Sequence, residues 1–145
     1  MTSEFVCDSM AQRLCGLARQ YAFLCAEEFI DTKHLLLAAV EVTPVEWHGC
    51  ERLTERRVLD AMPGIDGVNS ELSDSRPCRL SPAANDVLGM AAEMASRSGR
   101  AISCQDIWIA LLEDRRGTCS SLMKRLGIDP LELQKRFRGT PPNMA

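Results

Sequence analysis

Residues 11–41 read AQRLCGLARQYAFLCAEEFIDTKHLLLAAVE, and residues 83–114 read AANDVLGMAAEMASRSGRAISCQDIWIALLED. The second stretch repeats the plan of the first. Each has a helical segment rich in small residues, a short polar break, an Ile, capping-type residues, and an apolar run that ends in Glu. The copies align at an offset of 73 before the break and 72 after it, one residue being absent from the second break. Self-similarity at so long a period marks a duplicated supersecondary unit.

Helical periodicity and caps extend from these two stretches. Asp8 or Ser9 is placed to cap a first helix, with Leu14, Leu17, Ala18, Tyr21, Leu24 and Cys25 on its inner face. After a break at Ala26–Ile30, Asp31 or Thr32 caps a second helix that turns Leu35, Leu36, Ala39 and Val40 inward. Pro44 suits the first turn of a third, with Val45, Cys50, Leu53, Val58 and Leu59 as its apolar positions. Ser81-Pro82 is an N-cap followed by Pro at the first helical position. Val87, Leu88, Ala91, Met94 and Ala95 face inward from that helix, and Gly99 closes it. Ser103 or Cys104 opens the next, carrying Ile107, Trp108, Ala110, Leu111 and Leu112. Thr118 caps another with Leu122, Met123 and Leu126 inward and Gly127 as its stop. Asp129-Pro130 starts the last, which Leu131, Leu133 and Phe137 finish. No stretch alternates with period two for long enough to predict a strand. The predicted organisation is a first repeat over 8–62, a linker over 63–80, a second repeat over 81–138 and a disordered tail over 139–145, all within one compact domain.

Composition agrees with a helical, water-soluble chain. Hydrophobic residues make up 46%, charged residues 26% and aromatics 5% of the 145 residues. A net charge of −3 offers no nucleic-acid or membrane surface. No apolar run approaches the roughly 18–20 residues of a membrane span, and the start MTSEFVCDSM lacks signal-peptide character. The seven cysteines are odd in number and contain no C-x-x-C pair, so free thiols and a cytoplasmic location are expected.

The run Ala11-Gln12-Arg13-Leu14, Leu17-Ala18-Arg19 and Ile30-Asp31-Thr32-Lys33-His34-Leu35-Leu36-Leu37 resembles the N-terminal domain, or Clp repeat, of Clp/Hsp100 AAA+ unfoldases, nearest to the ClpC type. Ser81-Pro82-Ala83 and Leu126-Gly127-Ile128-Asp129 resemble the start and the close of that family's second repeat. The resemblance implies an all-α fold of about eight helices in two four-helix repeats related by a pseudo-twofold axis. It implies a non-catalytic protein-binding module whose partners are a Clp unfoldase, adaptors or degradation substrates. No G-x-x-x-x-G-K-[ST] occurs, so a recognition domain without the ATPase motor is expected, with no cofactor and no metal.

In the ClpC type, the Glu of each Gly-Thr-Glu-His element helps to bind phosphoarginine. Here those positions hold Lys33 and Gln105, which reverse and remove the charge that would meet a guanidinium. Loss of that ligand is expected. By the same resemblance, a peptide groove lies between the first helices of the repeats, around Met10, Arg13, Ala84 and Leu88.

Other readings were weighed against packing. Cys25 or Cys104 with His34 would be needed for a small cysteine-dependent enzyme, but small buried thiols and a structural histidine fit the pattern better. His48 and Cys50 lack the second ligand pair of a metal site. Trp108 is expected in the core and Trp47 at a partly exposed position. Arg97, Arg100, Arg115, Arg116, Lys124 and Arg125 read as a solvated basic strip. An accessory structural subunit of a Clp peptidase complex is the alternative binding role.

Overall fold

In the computed structural model, residues 6–24, 27–43, 54, 58, 79–113 and 118–139 are described. Among them are six helices: α1 (Ser9–Leu24), α2 (Thr32–Val42), α3 (Pro82–Arg97), α4 (Cys104–Glu113), α5 (Thr118–Arg125) and α6 (Pro130–Arg138). The helix bounds reproduce the sequence offsets. From 9 to 82 and from 24 to 97 are both steps of 73, and from 32 to 104 is a step of 72. Trp47, His48, Cys50 and the helix expected from Pro44 lie outside the described residues, but Val58 is fully buried.

Local signals start and stop the helices. Asp8 Oδ1 accepts the Ala11 N–H at 2.8 Å, and Ser81 Oγ accepts the Ala84 N–H at 3.1 Å, at equivalent places before α1 and α3. Asp129 Oδ1 accepts the Leu131 N–H before α6, with Pro130 in the first turn. Gly99 and Gly127 take φ of 67° and 76°. In that left-handed conformation a side chain would be strained, so both positions suit glycine at a helix end.

Two short parallel pairings cross between the halves. β1 (Phe29–Ile30), which precedes α2, pairs with β2 (Arg79–Leu80), which precedes α3; Ile30 lies opposite Leu80. Cys7, which precedes α1, bridges Ile102, which precedes α4. Under the offsets Cys7 corresponds to Leu80 and Ile30 to Ile102. Each half therefore supplies its pre-helix segment to the break of the other. The Ser81 N–H donates to Ile30 O and the Asp8 N–H to Ile102 O, each at 2.9 Å. These segments are too short to show period-two alternation, so the sequence did not reveal them; Arg79 and Leu80 close the stretch read as a linker.

α2 and α4 form the centre. Every residue from His34 to Val40 and from Cys104 to Leu112 is buried, not one face alone. α2 packs on α1, α3, α4 and α5, and α4 on all the other helices. A helix surrounded in this way must be apolar all round. Trp108 sits in this core, stacked on Phe137 at 4.8 Å between ring centroids, and its indole N–H donates to Thr43 Oγ1 at 2.9 Å. Leu131 is 38% exposed. The buried set of α6 is Pro130, Leu133, Gln134 and Phe137, which leaves Leu131 a step round the helix.

Replacing Trp108 with Ala removes both the stack and the hydrogen bond. It should lower stability by about 3–5 kcal/mol, read as a fall in the urea midpoint followed by circular dichroism. Thr43→Val should cost less, about 1–3 kcal/mol, by stranding the indole N–H.

Candidate functional site at the repeat junction

Of the residues singled out for ligand recognition, Lys33 lies in the first turn of α2 and Gln105 in the first turn of α4. Asp31 caps α2, and His34 answers in a capping box: the Asp31 N–H donates to His34 Nδ1 at 2.9 Å. Ser103 and Asp106 repeat the arrangement at α4. The Ser103 N–H donates to Asp106 Oδ2 at 2.9 Å, and the Asp106 N–H donates to Ser103 Oγ at 3.3 Å. The Ser81 hydroxyl, at the cap of α3, donates to Asp31 Oδ1 at 2.8 Å and ties the start of α3 to that of α2. The counterpart positions, Asp8 and Ser103, exchange hydroxyl and acid.

Each break sends one charged side chain onto this box, with opposite sign in the two halves. In the first, Glu27 Oε2 lies 2.7 Å from Lys33 Nζ and 3.5 Å from His34 Nε2. In the second, Arg100 grips Asp106 through both terminal nitrogens, at 2.5 and 2.9 Å. An acid over a base in one copy has become a base over an acid in the other. The signal for this lies in the sequence, where Glu27 aligns with Arg100 and His34 with Asp106 under the offsets of 73 and 72.

Burial and charge set the protonation states. Burial holds His34 below the usual histidine value, against the raising influence of Glu27. With Nδ1 accepting a hydrogen bond, the neutral ring carries its proton on Nε2. Burial works to raise Asp106, but hydrogen bonds from Arg100 and Ser103 overcome it and leave its carboxyl below the ordinary value. Arg100 is raised in return by its bond to Asp106.

The predicted contacts fall in different places. Lys33 is half-buried and committed to Glu27. Gln105 is 3% exposed and belongs to the interior. Ala84 and Leu88, expected along a groove, are buried because the inner face of α3 packs on the central helices. Met10 is half-buried against the core, and Arg13 is exposed. The junction does not bring these six residues together on one surface. The basic strip also divides: Arg100 turns in to Asp106, Arg97 pairs with Glu93, and Lys124 is exposed, while Arg115 and Arg116 lie outside the described residues.

The cysteine–histidine reading loses its geometry here. His34 is engaged by Asp31 and Glu27, and Cys104 is buried with its thiol pushed up to about 12 by desolvation. Cys25 lies outside the described residues, and Cys119 is buried. Among the described residues no group of three or more His, Cys, Asp or Glu is arranged to hold a metal ion. No helix among them is long and apolar enough to cross a membrane.

No family model matches the sequence, and no curated protein matches it. The fold does have counterparts among solved structures. The N-terminal domain of the caseinolytic-protease-associated chaperone ClpD from Arabidopsis thaliana superposes with a TM-score of 0.73 at 19% identity, over 91% of this chain and 92% of that one. The Hsp104 N-terminal domain from Candida albicans gives a TM-score of 0.74 at 20% identity, over 95% and 94%. The chain thus has the fold of a Clp/Hsp100 N-terminal domain. These neighbours are of ClpD and Hsp104, so the likeness supports the family fold and not the ClpC subtype.

The junction predicts a pH response with two limbs. His34 is held below its unfolded value, so the unfolded chain takes up the proton first and stability falls as pH drops below about 6.5. Asp106 is also depressed. Its contribution is complete above about 3.9 and is lost as pH falls further, through its folded value. His34→Gln keeps an acceptor for the capping box and should flatten the upper limb; Asp106→Asn should reduce the lower one. Urea midpoints measured across pH read both.

Proposed function

We propose that this chain is a non-catalytic protein-binding module that recognises degrons, adaptors or Clp-type unfoldase components, and so modulates regulated proteolysis in the cytoplasm. The observation that carries this reading is the fold shared, over nearly the whole length of both chains, with the N-terminal domain of a caseinolytic-protease-associated chaperone. The interior supports a binding role. Its buried polar groups serve helix caps and ion pairs, and the histidine offered for catalysis is consumed by them. The reading includes a complete first repeat over 8–62 with four helices, matched to a second over 81–138 by a pseudo-twofold axis and joined through 63–80.

On this reading phosphoarginine is not the ligand. A carboxylate is needed to face a guanidinium, but the two positions hold a lysine paired to Glu27 and a buried glutamine. A phosphoarginine peptide titrated into the chain should show no saturable binding in the micromolar range. Saturable binding that Lys33→Ala abolishes would overturn this part of the proposal.

The main test adds the purified chain to a reconstituted Clp unfoldase–peptidase degrading a model substrate. A dose-dependent change in degradation rate, with the chain retained by the unfoldase in sedimentation, is the expected result. Retention by peptidase rings alone would favour the accessory structural subunit. No retention by either and no change in rate would refute the proposal.

A further inference from the structure

The two central helices start on one design but differ in the group that answers the cap. At α4, Asp106 accepts the Ser103 N–H at 2.9 Å and is held by Arg100 through both terminal nitrogens. A carboxylate gripped by a guanidinium keeps its charge throughout the range in which histidine titrates. At α2 the acceptor for the Asp31 N–H is His34 Nδ1, at 2.9 Å. A ring nitrogen accepts only while it carries no proton. The ring is fully buried and its Nε2 has no hydrogen-bonding partner; Glu27 Oε2 stands 3.5 Å away, engaged with Lys33.

We propose that His34 is a proton-operated latch on the start of α2 alone: a proton taken up at Nδ1 opens the Asp31 capping box and loosens the crossed pairing beside it, while the start of α4 stays closed. The latch belongs to the fold and does not depend on which partner the module binds. Protonation sets an Nδ1–H against the Asp31 N–H, two donors head to head where one bond had been. It also places a buried positive charge beside Lys33, with the Glu27 carboxylate shared between the two cations. The disturbance passes on through Asp31. Its Oδ1 accepts the Thr32 N–H and the Ser81 hydroxyl, both at 2.8 Å, and the Ser81 N–H donates to Ile30 O at 2.9 Å. Release of the Asp31 backbone therefore reaches the start of α2 and the pairing of β1 with β2 together.

The surroundings favour the neutral ring in the closed state. Burial disfavours the imidazolium most strongly; Glu27 favours it, Lys33 disfavours it and Asp31 favours it. The helices packed on α2 bring little further charge to this end. α5 brings the Cys119 thiol to Thr32 O at 3.9 Å, and α3 meets Asp31 through the uncharged Ser81. Asp106 of α4 is held by Arg100, and Tyr21 of α1 donates to Glu41, towards the other end of α2. Once the latch opens, the ring titrates near the ordinary histidine value of about 6.5.

The test is amide hydrogen exchange of the full chain, followed by NMR at pH 7.5 and 5.5 and corrected for the intrinsic pH dependence of exchange. Four amides report on the two sides. Asp31 and Ser81 donate within the first, Ser103 and Asp8 within the second. An open state whose histidine titrates at about 6.5 gains up to about tenfold in population between these two conditions. Protection at Asp31 and Ser81 should fall by up to that factor, while Ser103 and Asp8 keep theirs. His34→Gln keeps an acceptor without the titration, and should hold Asp31 protection constant. Constant protection at Asp31 in the unaltered chain, or an equal loss at all four amides, would overturn the proposal. The ring itself gives a reading that needs no variant. A proton–nitrogen correlation spectrum of the imidazoles should place the His34 proton on Nε2 at pH 7.5, and a proton on Nδ1 there would overturn the latch as well.

Discussion

The crossed pairing of pre-helix segments is the constraint on which the rest of the structure depends. Ile30 opposite Leu80 and Cys7 opposite Ile102 are contacts between residues far apart in sequence. Each satisfies backbone groups that would otherwise be orphaned just ahead of a helix. Each also delivers a cap: Ser81 donates its N–H to Ile30 O and caps α3, and Asp8 donates its N–H to Ile102 O and caps α1. The pairing therefore sets where four helices start. Because neither half supplies both strands of a pairing, the two halves cannot form these contacts separately. α2 and α4 are thereby brought together as a centre in which every residue from His34 to Val40 and from Cys104 to Leu112 is buried.

The charge exchange at the junction shows how a duplicated unit keeps a contact while changing its chemistry. Glu27 over Lys33 and His34 in one half, and Arg100 over Asp106 in the other, do the same mechanical work. Both join the break to the first turn of the central helix. Their placement has a functional consequence. Charged groups at the positions singled out for ligand recognition are neutralised within the fold, and Gln105 is taken into the core. Among the described residues the exposed large apolar side chains are Val6, Phe29, Met90 and Leu131.

Much of the fold was legible because its signals are local. The offsets of 73 and 72 recur in the helix bounds, and Ser81-Pro82, Asp129-Pro130, Gly99 and Gly127 act where the sequence placed them. Trp108 was read as core and is core. The site was less legible. Ala84 and Leu88 were assigned to a groove by analogy, yet they lie on the very face that α3 needs for packing.

What the sequence determined by itself is the set of helices and their ends. Those depend on side chains within one turn of the backbone they cap, and on a periodicity that one segment carries alone. It also carries the offsets of 73 and 72 that recur in the bounds of the described helices. Tertiary structure decided which segments cross between the copies, which turn of each central helix receives an acid or a base, and which polar residues are buried. Those outcomes depend on pairings such as Ser81 with Asp31 and Trp108 with Thr43, separated by 50 and 65 residues. No local propensity reports on such partners, because the free energy of each contact exists only once the other half of the chain has arrived.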